Sequence, residues 1–267
     1  MSTKVLIMGC SLSAKSPEQA GWLEENFHHH YSKILENTPG WNITNRAIGG
    51  CSNTEISLRT IENCLRDHYD FCIIQWSSLH RYWFYESENN IDNETQILPR
   101  VCGWGDIQSA SVMSKIIVSK YLNDYMSLKH WLLNHIFLQT FLNQNKIKYV
   151  FIRGFPNYIH DLETISQQGS FDSIPKLQIP PAIKKMLHFD NNPDDYLFDK
   201  LSSLMTIYHS IDKSCCIGYN INDNIYGFPN NTHENDFADD GGHPGKMRNS
   251  FLVELILNHC KSKGLKF

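Results

Sequence analysis

The chain has 267 residues, a formal net charge of -4 and 41% hydrophobic residues, enough apolar material for a large buried core. This charge provides no broad basic surface, so the composition gives no support to nucleic-acid binding. The N-terminal segment lacks a secretion signal and no stretch approaches the ~20 apolar residues of a membrane span, so we predict a cytoplasmic protein. The eight cysteines are then expected to be reduced thiols.

The first third of the chain predicts alternating strands and helices. Short apolar runs indicate the strands, and Ser-x-x-Gln and Ser-x-x-Glu capping boxes mark where the helices begin. The order is a strand at 4–8, a helix at 16–36, a strand at 41–47, a helix that starts at Ser52–Glu55 and a strand at 71–76.

The rest of the chain is less regular. Residues 81–110 are polar and aromatic with little periodicity, which predicts a loop or lid beside a site, and 156–236 is rich in Pro, Asn and Asp, which indicates an insertion. We treat 1–267 as one domain. The further predicted elements are helical structure at 111–145, a strand at 148–153, helices near 181–188 and 195–212, and a closing helix at 244–263.

Alternating strands and helices are typical of a parallel sheet that is covered on both faces. Sites in such sheets lie beyond the carboxyl ends of the strands. The segments that fall there are Gly9-Cys10-Ser11, Gly49-Gly50 and Ser77-Ser78.

Three residues at such positions have the chemistry of a nucleophilic site. A serine hydroxyl needs a base to take its proton, a third group to orient the base, and donors for the oxyanion. Ser11 follows the first strand directly, while Asp240 and His243 lie just before the closing helix. A separation of three residues lets one turn hold the carboxylate against one imidazole nitrogen, which leaves the other nitrogen for Ser11.

The motifs around these residues resemble those of the SGNH (GDSL-like) hydrolases. The segment 9–13 (GCSLS) is similar to the family's first block, 45–52 (NRAIGGCS) to its second, and Asp240-x-x-His243 to its last. The resemblance implies a three-layer α/β/α sandwich with a central, mostly parallel five-stranded sheet of the flavodoxin type. It also implies Ser11 as nucleophile, His243 as base, Asp240 as acid, and the backbone of Ser11 and Gly50 in the oxyanion hole.

The chain departs from the family pattern at two places. The family's Asp in the first block is Cys10 here, and Ser77 stands where the third block has its oxyanion asparagine. A serine hydroxyl could donate in place of the asparagine. Gln75, His80 and Arg81 are further candidates at this end of the strand, and we also assign Trp76, His80 and Arg81 to substrate binding.

Each of the candidate site residues also has a simpler, purely structural interpretation. Ser11 could be a turn residue, and Asp239-Asp240-Gly241-Gly242 a polar cap of the last helix, with Asp239 as an alternative acid at the wrong offset. Consecutive side chains on a helix diverge, so 28–30 (HHH) predicts solvent exposure rather than a metal site. Cys10 is expected to be a small buried thiol.

The resulting hypothesis is a serine ester hydrolase that needs no metal and no organic cofactor. The aromatic residues around Trp76 to Tyr85 and Trp104 favour a sugar face, so the preferred substrate is an O-acetylated carbohydrate or another small acylated molecule. An acyltransferase with the same triad and an inactive binding protein of this fold are the alternatives. The sequence does not determine the oligomeric state.

Overall fold

A computed structural model describes residues 2–79, 81–87, 97–102, 123–154, 158–168, 179–187, 195–219, 236–241 and 243–265. Its centre is a five-stranded sheet in the order β2-β1-β3-β6-β7, in which every neighbouring pair is parallel. The strands of this sheet are β1 (Thr3–Met8), β2 (Trp41–Asn45), β3 (Phe71–Gln75), β6 (Lys148–Ile152) and β7 (Cys216–Ile217). Two further strands, β4 (Tyr82–Ser87) and β5 (Ile97–Cys102), form a separate antiparallel pair.

Eight α-helices lie within the described residues. The short segments Ser11–Ser13, Glu24–His29 and Lys213–Cys215 are 3-10 helices. The α-helices are α1 (Pro17–Ala20), α2 (Tyr31–Glu36), α3 (Asn53–Arg66), α4 (Asp124–Gln144), α5 (Ile159–Ser166), α6 (Pro181–Met186), α7 (Asp195–His209) and α8 (Lys246–Ser262).

Helices cover both faces of the sheet, because side chains of each strand point alternately to the two sides. Val5 and Ile7 of β1 belong to a core with α2 and α8, whereas Leu6 and Met8 belong to a larger core with α3 to α7. A strand that is buried on both faces consists of consecutive apolar residues, as in most of β1 and β3. The predicted three-layer α/β/α sandwich with a five-stranded parallel sheet is therefore confirmed.

The single helix predicted over 16–36 is wrong. The chain forms α1, a 3-10 segment and α2 instead, because Gly21 has a φ of 74° and ends α1 in the left-handed region. Ser16 makes no side-chain cap, whereas Ser52 accepts a hydrogen bond from the Glu55 amide as its capping box predicts.

The two irregular segments are only partly described. The described part of 81–110 is the pair β4 and β5, with Tyr82 opposite Cys102 and Ser87 opposite Ile97, so strands replace the predicted loop there. In 156–236, α6 and α7 lie where helices were predicted. The lid, the insertion and the single-domain organisation stay predictions. No helix within the described residues is long and apolar enough to cross a membrane.

Candidate active site

Ser11 lies at the carboxyl end of β1, between the ends of β2 and β3. It begins a 3-10 turn that is closed by hydrogen bonds from the Ser13 amide to Cys10 O (3.0 Å) and from the Ala14 amide to Ser11 O (3.3 Å). The connection after β1 runs to β2 on one side and the connection after β3 runs towards β6 on the other, so the strand order reverses between β1 and β3, and ligand sites form at such a switch point. Cys10 is fully buried, as expected for a thiol used in packing.

A buried hydrogen-bond network lies beneath the Ser11 turn. The Tyr31 hydroxyl donates to Ser13 Oγ (2.6 Å), and the Ser13 hydroxyl donates to Gln75 Oε1. All three side chains are almost completely buried, and burial raises the pKa of Tyr31 well above its usual range, which keeps it a neutral donor. The network connects α2, the turn and the end of β3, so the side-chain carbonyl of Gln75 holds the Ser11 turn in place.

Asp240 and His243 form a direct pair. The Nδ1 atom of His243 lies 2.5 Å from Asp240 Oδ2, and the His243 amide donates to Asp240 Oδ1 at 3.0 Å. Their turn is closed by a bridge between Phe237 and Pro244 and by the Ala238 amide, which donates to His243 O at 2.8 Å. With Nδ1 on the carboxylate, Nε2 is the ring atom left for chemistry, and within the described residues it makes no hydrogen bond.

Two polar residues that the sequence analysis did not single out support this turn. Asp236 accepts from the Gly245 amide with its carbonyl (2.9 Å) and from the Arg248 amide with Oδ2 (2.7 Å), so it caps the start of α8. Asn249 accepts from the Tyr31 amide at 2.9 Å, which fixes α8 against α2. The signal available for the cap was an Asp shortly before the start of the closing helix.

Gly21 lies directly against the Asp240–His243 pair. A Cβ on Gly21 would lie 2.2 Å from Asp240 Oδ2 and 2.5 Å from His243 Nδ1, and Gly21 O accepts from the Asp240 amide at 3.2 Å. Only a residue without a side chain fits at this point and at this φ. Gly21 therefore connects the segment that follows Ser11 to the carboxylate and the imidazole.

Asp239 does not orient His243. Its Oδ2 accepts from the Leu23 amide (2.8 Å) and its Oδ1 from Asn26 Nδ2 (3.0 Å), so this carboxylate caps the 3-10 segment after Gly21. The two adjacent aspartates thus have different partners, and the carboxylate on His243 belongs to Asp240 rather than to the alternative Asp239.

His30 is hydrogen-bonded to the turn that begins at Ser11. Its Nε2 lies 3.2 Å from Leu12 O and its Nδ1 lies 2.8 Å from Ser32 Oγ, which assigns the proton to Nε2. The pKa of His30 is lowered to about 3, chiefly by burial; the hydrogen bond to Leu12 O opposes this shift, and charge on His243 adds to it. His30 is therefore a neutral structural residue.

The predicted exposure of 28–30 is wrong for its last member. His30 is buried and stacks on Phe27 at 5.1 Å between ring centroids, because a 3-10 turn rather than an α-helix presents it to the core. His28 is exposed, and its ring packs on His29. No cluster of three His, Cys, Asp or Glu side chains that could hold a metal occurs among the described residues.

The second and third blocks are held together by Asn53, which the sequence analysis did not single out. Its Oδ1 accepts from the Ser77 amide (2.7 Å), and its Nδ2 donates to Ser77 O (3.3 Å) and Ser78 O (3.1 Å). Asn53 is the first residue of α3, three positions after Gly50. The Gly50 loop and the Ser77 loop are thereby fixed to each other.

Backbone donors remain at the candidate oxyanion positions. Gly50 has a φ of 83°, and a Cβ built on it would meet nothing within 4 Å, so its loop faces open space. Among the described residues, the amides of Ser11 and Gly50 donate to no acceptor. The Ser77 hydroxyl accepts from Arg81 Nη1 at 3.1 Å.

The remaining predicted substrate-binding residues have different outcomes. Trp76 is buried and stacks on Phe151 at 5.3 Å, with Trp131 edge-on at 6.4 Å, so it belongs to the core and the prediction that it binds substrate is wrong. Because side chains alternate along β3, Trp76 lies on the same side as Cys72 and Ile74, within the larger core. His80 and Trp104 lie outside the described residues.

The fold and this geometry define a doubly wound parallel α/β protein with a carboxylate–imidazole pair and a serine turn at the carboxyl edge of its sheet. No protein-family model matches the sequence, and no curated protein matches it. Several solved structures are similar to the chain.

The similar structures have low sequence identity to the chain. A lipolytic protein of the G-D-S-L family from Desulfitobacterium hafniense DCB-2 is 10% identical over 97% of this chain and 99% of its own, with a TM-score of 0.44. The acetyl xylan esterase AlAXEase is 14% identical over 96% and 98%, with a TM-score of 0.44. A lipase/acylhydrolase from Enterococcus faecalis is 11% identical over 98% and 96%, with a TM-score of 0.40.

Proposed function

We propose that this protein is a serine ester hydrolase in which Ser11, His243 and Asp240 form the catalytic triad. The observation that carries the proposal is the hydrogen bond between Asp240 Oδ2 and His243 Nδ1, which leaves Nε2 as the only basic ring nitrogen. Gly21 connects this pair to the segment after Ser11. No Ser11–His243 hydrogen bond occurs among the described residues, and such bonds commonly tighten only when substrate is bound.

In the proposed mechanism, Ser11 Oγ attacks the ester carbonyl while His243 Nε2 accepts its proton. Asp240 keeps the imidazole in the Nδ1–H tautomer and stabilises the imidazolium. When the tetrahedral intermediate collapses, the alcohol leaves with the proton from Nε2 and the acyl group stays on Ser11. In the second half, His243 Nε2 takes a proton from water as the water oxygen attacks the acyl-enzyme, and collapse of that intermediate returns the proton to Ser11 Oγ and releases the carboxylic acid.

The oxyanion is proposed to be bound by the amides of Ser11 and Gly50 and by the Ser77 hydroxyl. Two backbone donors without a described acceptor support this role, since donors aimed at developing charge are most effective when nothing else occupies them. Asn53 supports it further, because it fixes the loops of Gly50 and Ser77 in one arrangement.

For the substrate we propose an O-acetylated carbohydrate or another small acylated molecule. Trp76 lies in the core, so it offers no face for stacking on a sugar ring. The support that remains is the aromatic sequence 82–85 (YWFY), which forms β4 after the Ser77 loop. Aromatic faces suit the apolar faces of sugar rings better than they suit extended acyl chains.

We expect a fluorophosphonate probe to label the wild-type protein and to leave Ser11→Ala unlabelled. Ester hydrolysis in this variant should fall by roughly 10⁴- to 10⁶-fold, because a triad without its nucleophile keeps only the contribution of the remaining site. Ser16→Ala is the matched control, since Ser16 lies in the same segment but makes no side-chain cap. A folded wild-type protein that takes no label would overturn the hydrolase proposal.

The substrate proposal predicts that acetylated xylose derivatives are hydrolysed faster than esters with long acyl chains. Comparison of kcat/KM for p-nitrophenyl acetate, p-nitrophenyl palmitate and a peracetylated sugar tests this order. Higher kcat/KM for palmitate would contradict the carbohydrate assignment and leave the triad assignment intact. Product analysis in the presence of sugar alcohols would detect acyl transfer, which uses the same triad.

A further inference from the structure

The Ser77 hydroxyl accepts a hydrogen bond but donates none within the described residues. Its backbone is clamped on both sides by Asn53, and the residue is buried. Its Oγ accepts one hydrogen bond, from Arg81 Nη1 at 3.1 Å, and within the described residues it makes no other. The hydroxyl hydrogen of Ser77 is therefore available.

Arg81 reaches Ser77 because the chain turns between them. The Arg81 amide donates to Ser78 O at 3.3 Å, which closes the turn and brings the guanidinium over the end of β3. A guanidinium has five donors and no acceptor, whereas a hydroxyl has one donor and two lone pairs. The contact can thus be made in one sense only: Arg81 donates and Ser77 accepts.

We propose that Arg81 is a positioning residue that converts the Ser77 hydroxyl into a committed donor to the oxyanion. This inference rests on the proposed hydrolase function. A free serine rotor can point its hydrogen at any neighbouring acceptor; with Arg81 on one lone pair, the hydrogen is directed away from the guanidinium. Donation from a cation also polarises the O–H bond, which strengthens the bond that it makes in turn.

In this arrangement Ser77 and Arg81 together do the work of one asparagine amide. As the carbonyl oxygen gains charge during attack by Ser11, the Ser77 O–H shortens its hydrogen bond to it. No proton leaves Arg81, and the serine keeps its own hydrogen throughout. The stabilisation is greater in the transition state than in the bound ester, so it acts on kcat.

The alternative is that Arg81 contacts the substrate directly. The two roles differ in how Arg81 depends on Ser77, and a double-mutant cycle measures that dependence. A direct substrate contact would remain in a Ser77→Ala background and would mainly affect KM. A positioning role through the hydroxyl disappears when the hydroxyl is removed.

The experiment measures kcat and KM for p-nitrophenyl acetate in wild type, Ser77→Ala, Arg81→Met and the double variant. We expect Ser77→Ala to lower kcat by about 100-fold, as for loss of one oxyanion donor. Arg81→Met should lower kcat about tenfold with little change in KM, and less than about twofold in the Ser77→Ala background. Arg81→Lys, which keeps the positive charge and can still donate to Ser77, should recover part of the loss.

Controls separate this inference from the hydrolase proposal. Arg66→Met removes an exposed arginine at the end of α3 and should leave kcat unchanged, and thermal unfolding checks that each variant is folded. Additive effects of Ser77→Ala and Arg81→Met, or a loss confined to KM, would overturn the positioning role while wild type remains active. A wild type no more active than Ser11→Ala would overturn the hydrolase function itself.

Discussion

Replacement of Asp240 by Asn should reduce kcat by about 10³- to 10⁴-fold while the protein remains folded. The Asn amide can still accept from the His243 backbone amide, but its NH₂ group would face Nδ1 and favour the wrong imidazole tautomer. Nε2 would then carry the proton and could not accept one from Ser11. Steady-state hydrolysis and fluorophosphonate labelling rates measure the loss, and both should fall together.

The neighbouring aspartate provides a matched control for this variant. Asp239→Asn has the same chemistry one residue away, but Asp239 accepts from the Leu23 amide and from Asn26. Loss of one of these partly exposed bonds should lower the free energy of unfolding by about 1 kcal/mol and leave kcat within about threefold of wild type. A larger loss of kcat in Asp239→Asn than in Asp240→Asn would reverse the assignment of the two carboxylates.

The order of the central elements could be predicted because it depends on local pattern. β1 and β3 are continuous apolar runs, and Ser52 and Glu55 mark the start of α3 through contacts three residues apart. Asp240 and His243 are likewise three residues apart, so their pairing follows from one turn. Patterns confined to one turn or one strand can be recognised in the sequence without knowledge of the rest of the fold.

Contacts between distant segments could not be predicted in the same way. Ser13 meets Gln75 across 62 positions and Asn53 meets Ser77 across 24, and nothing in the local pattern pairs them. Trp76 has the composition of a sugar platform but the packing of a core residue, since stacking on Phe151 depends on the neighbouring strand. The candidate triad could therefore be identified from the sequence, whereas the residues that hold its turns and loops in place could not.

The break at Gly21 illustrates a conflict between local pattern and site geometry. The apolar periodicity of 16–36 favours one long helix, and such a helix would place an ordinary helical backbone where the Asp240–His243 turn must approach. The chain instead adopts a left-handed residue at Gly21, whose carbonyl accepts from the Asp240 amide. The helix is interrupted at Gly21, where two segments more than 200 residues apart in the sequence come into close contact.

Gly21→Ala should therefore inactivate the protein by displacing the Asp240–His243 pair. The new Cβ would lie 2.2 Å from Asp240 Oδ2 and 2.5 Å from His243 Nδ1, so the pair must move away from Ser11 or break its hydrogen bond. A displacement of about 1 Å at reacting groups costs roughly 100-fold in rate, and we expect at least that loss in kcat/KM. Overpacking should also lower the free energy of unfolding by about 1–3 kcal/mol.

Gly264→Ala separates the effect of the clash from that of backbone strain. Gly264 has a φ of 71°, close to the 74° of Gly21, but the nearest atom to its added Cβ is Lys148 Nζ at 4.0 Å, and it lies beyond the end of α8. Both alanines carry the left-handed penalty of about 1–2 kcal/mol, so both should lower the unfolding temperature. Only Gly21→Ala should lose activity at a temperature where both are folded, because only there does the methyl group meet the Asp240–His243 pair. Equal loss of activity in the two variants would mean that strain rather than contact with Asp240 and His243 makes Gly21 necessary, and that the pair tolerates displacement.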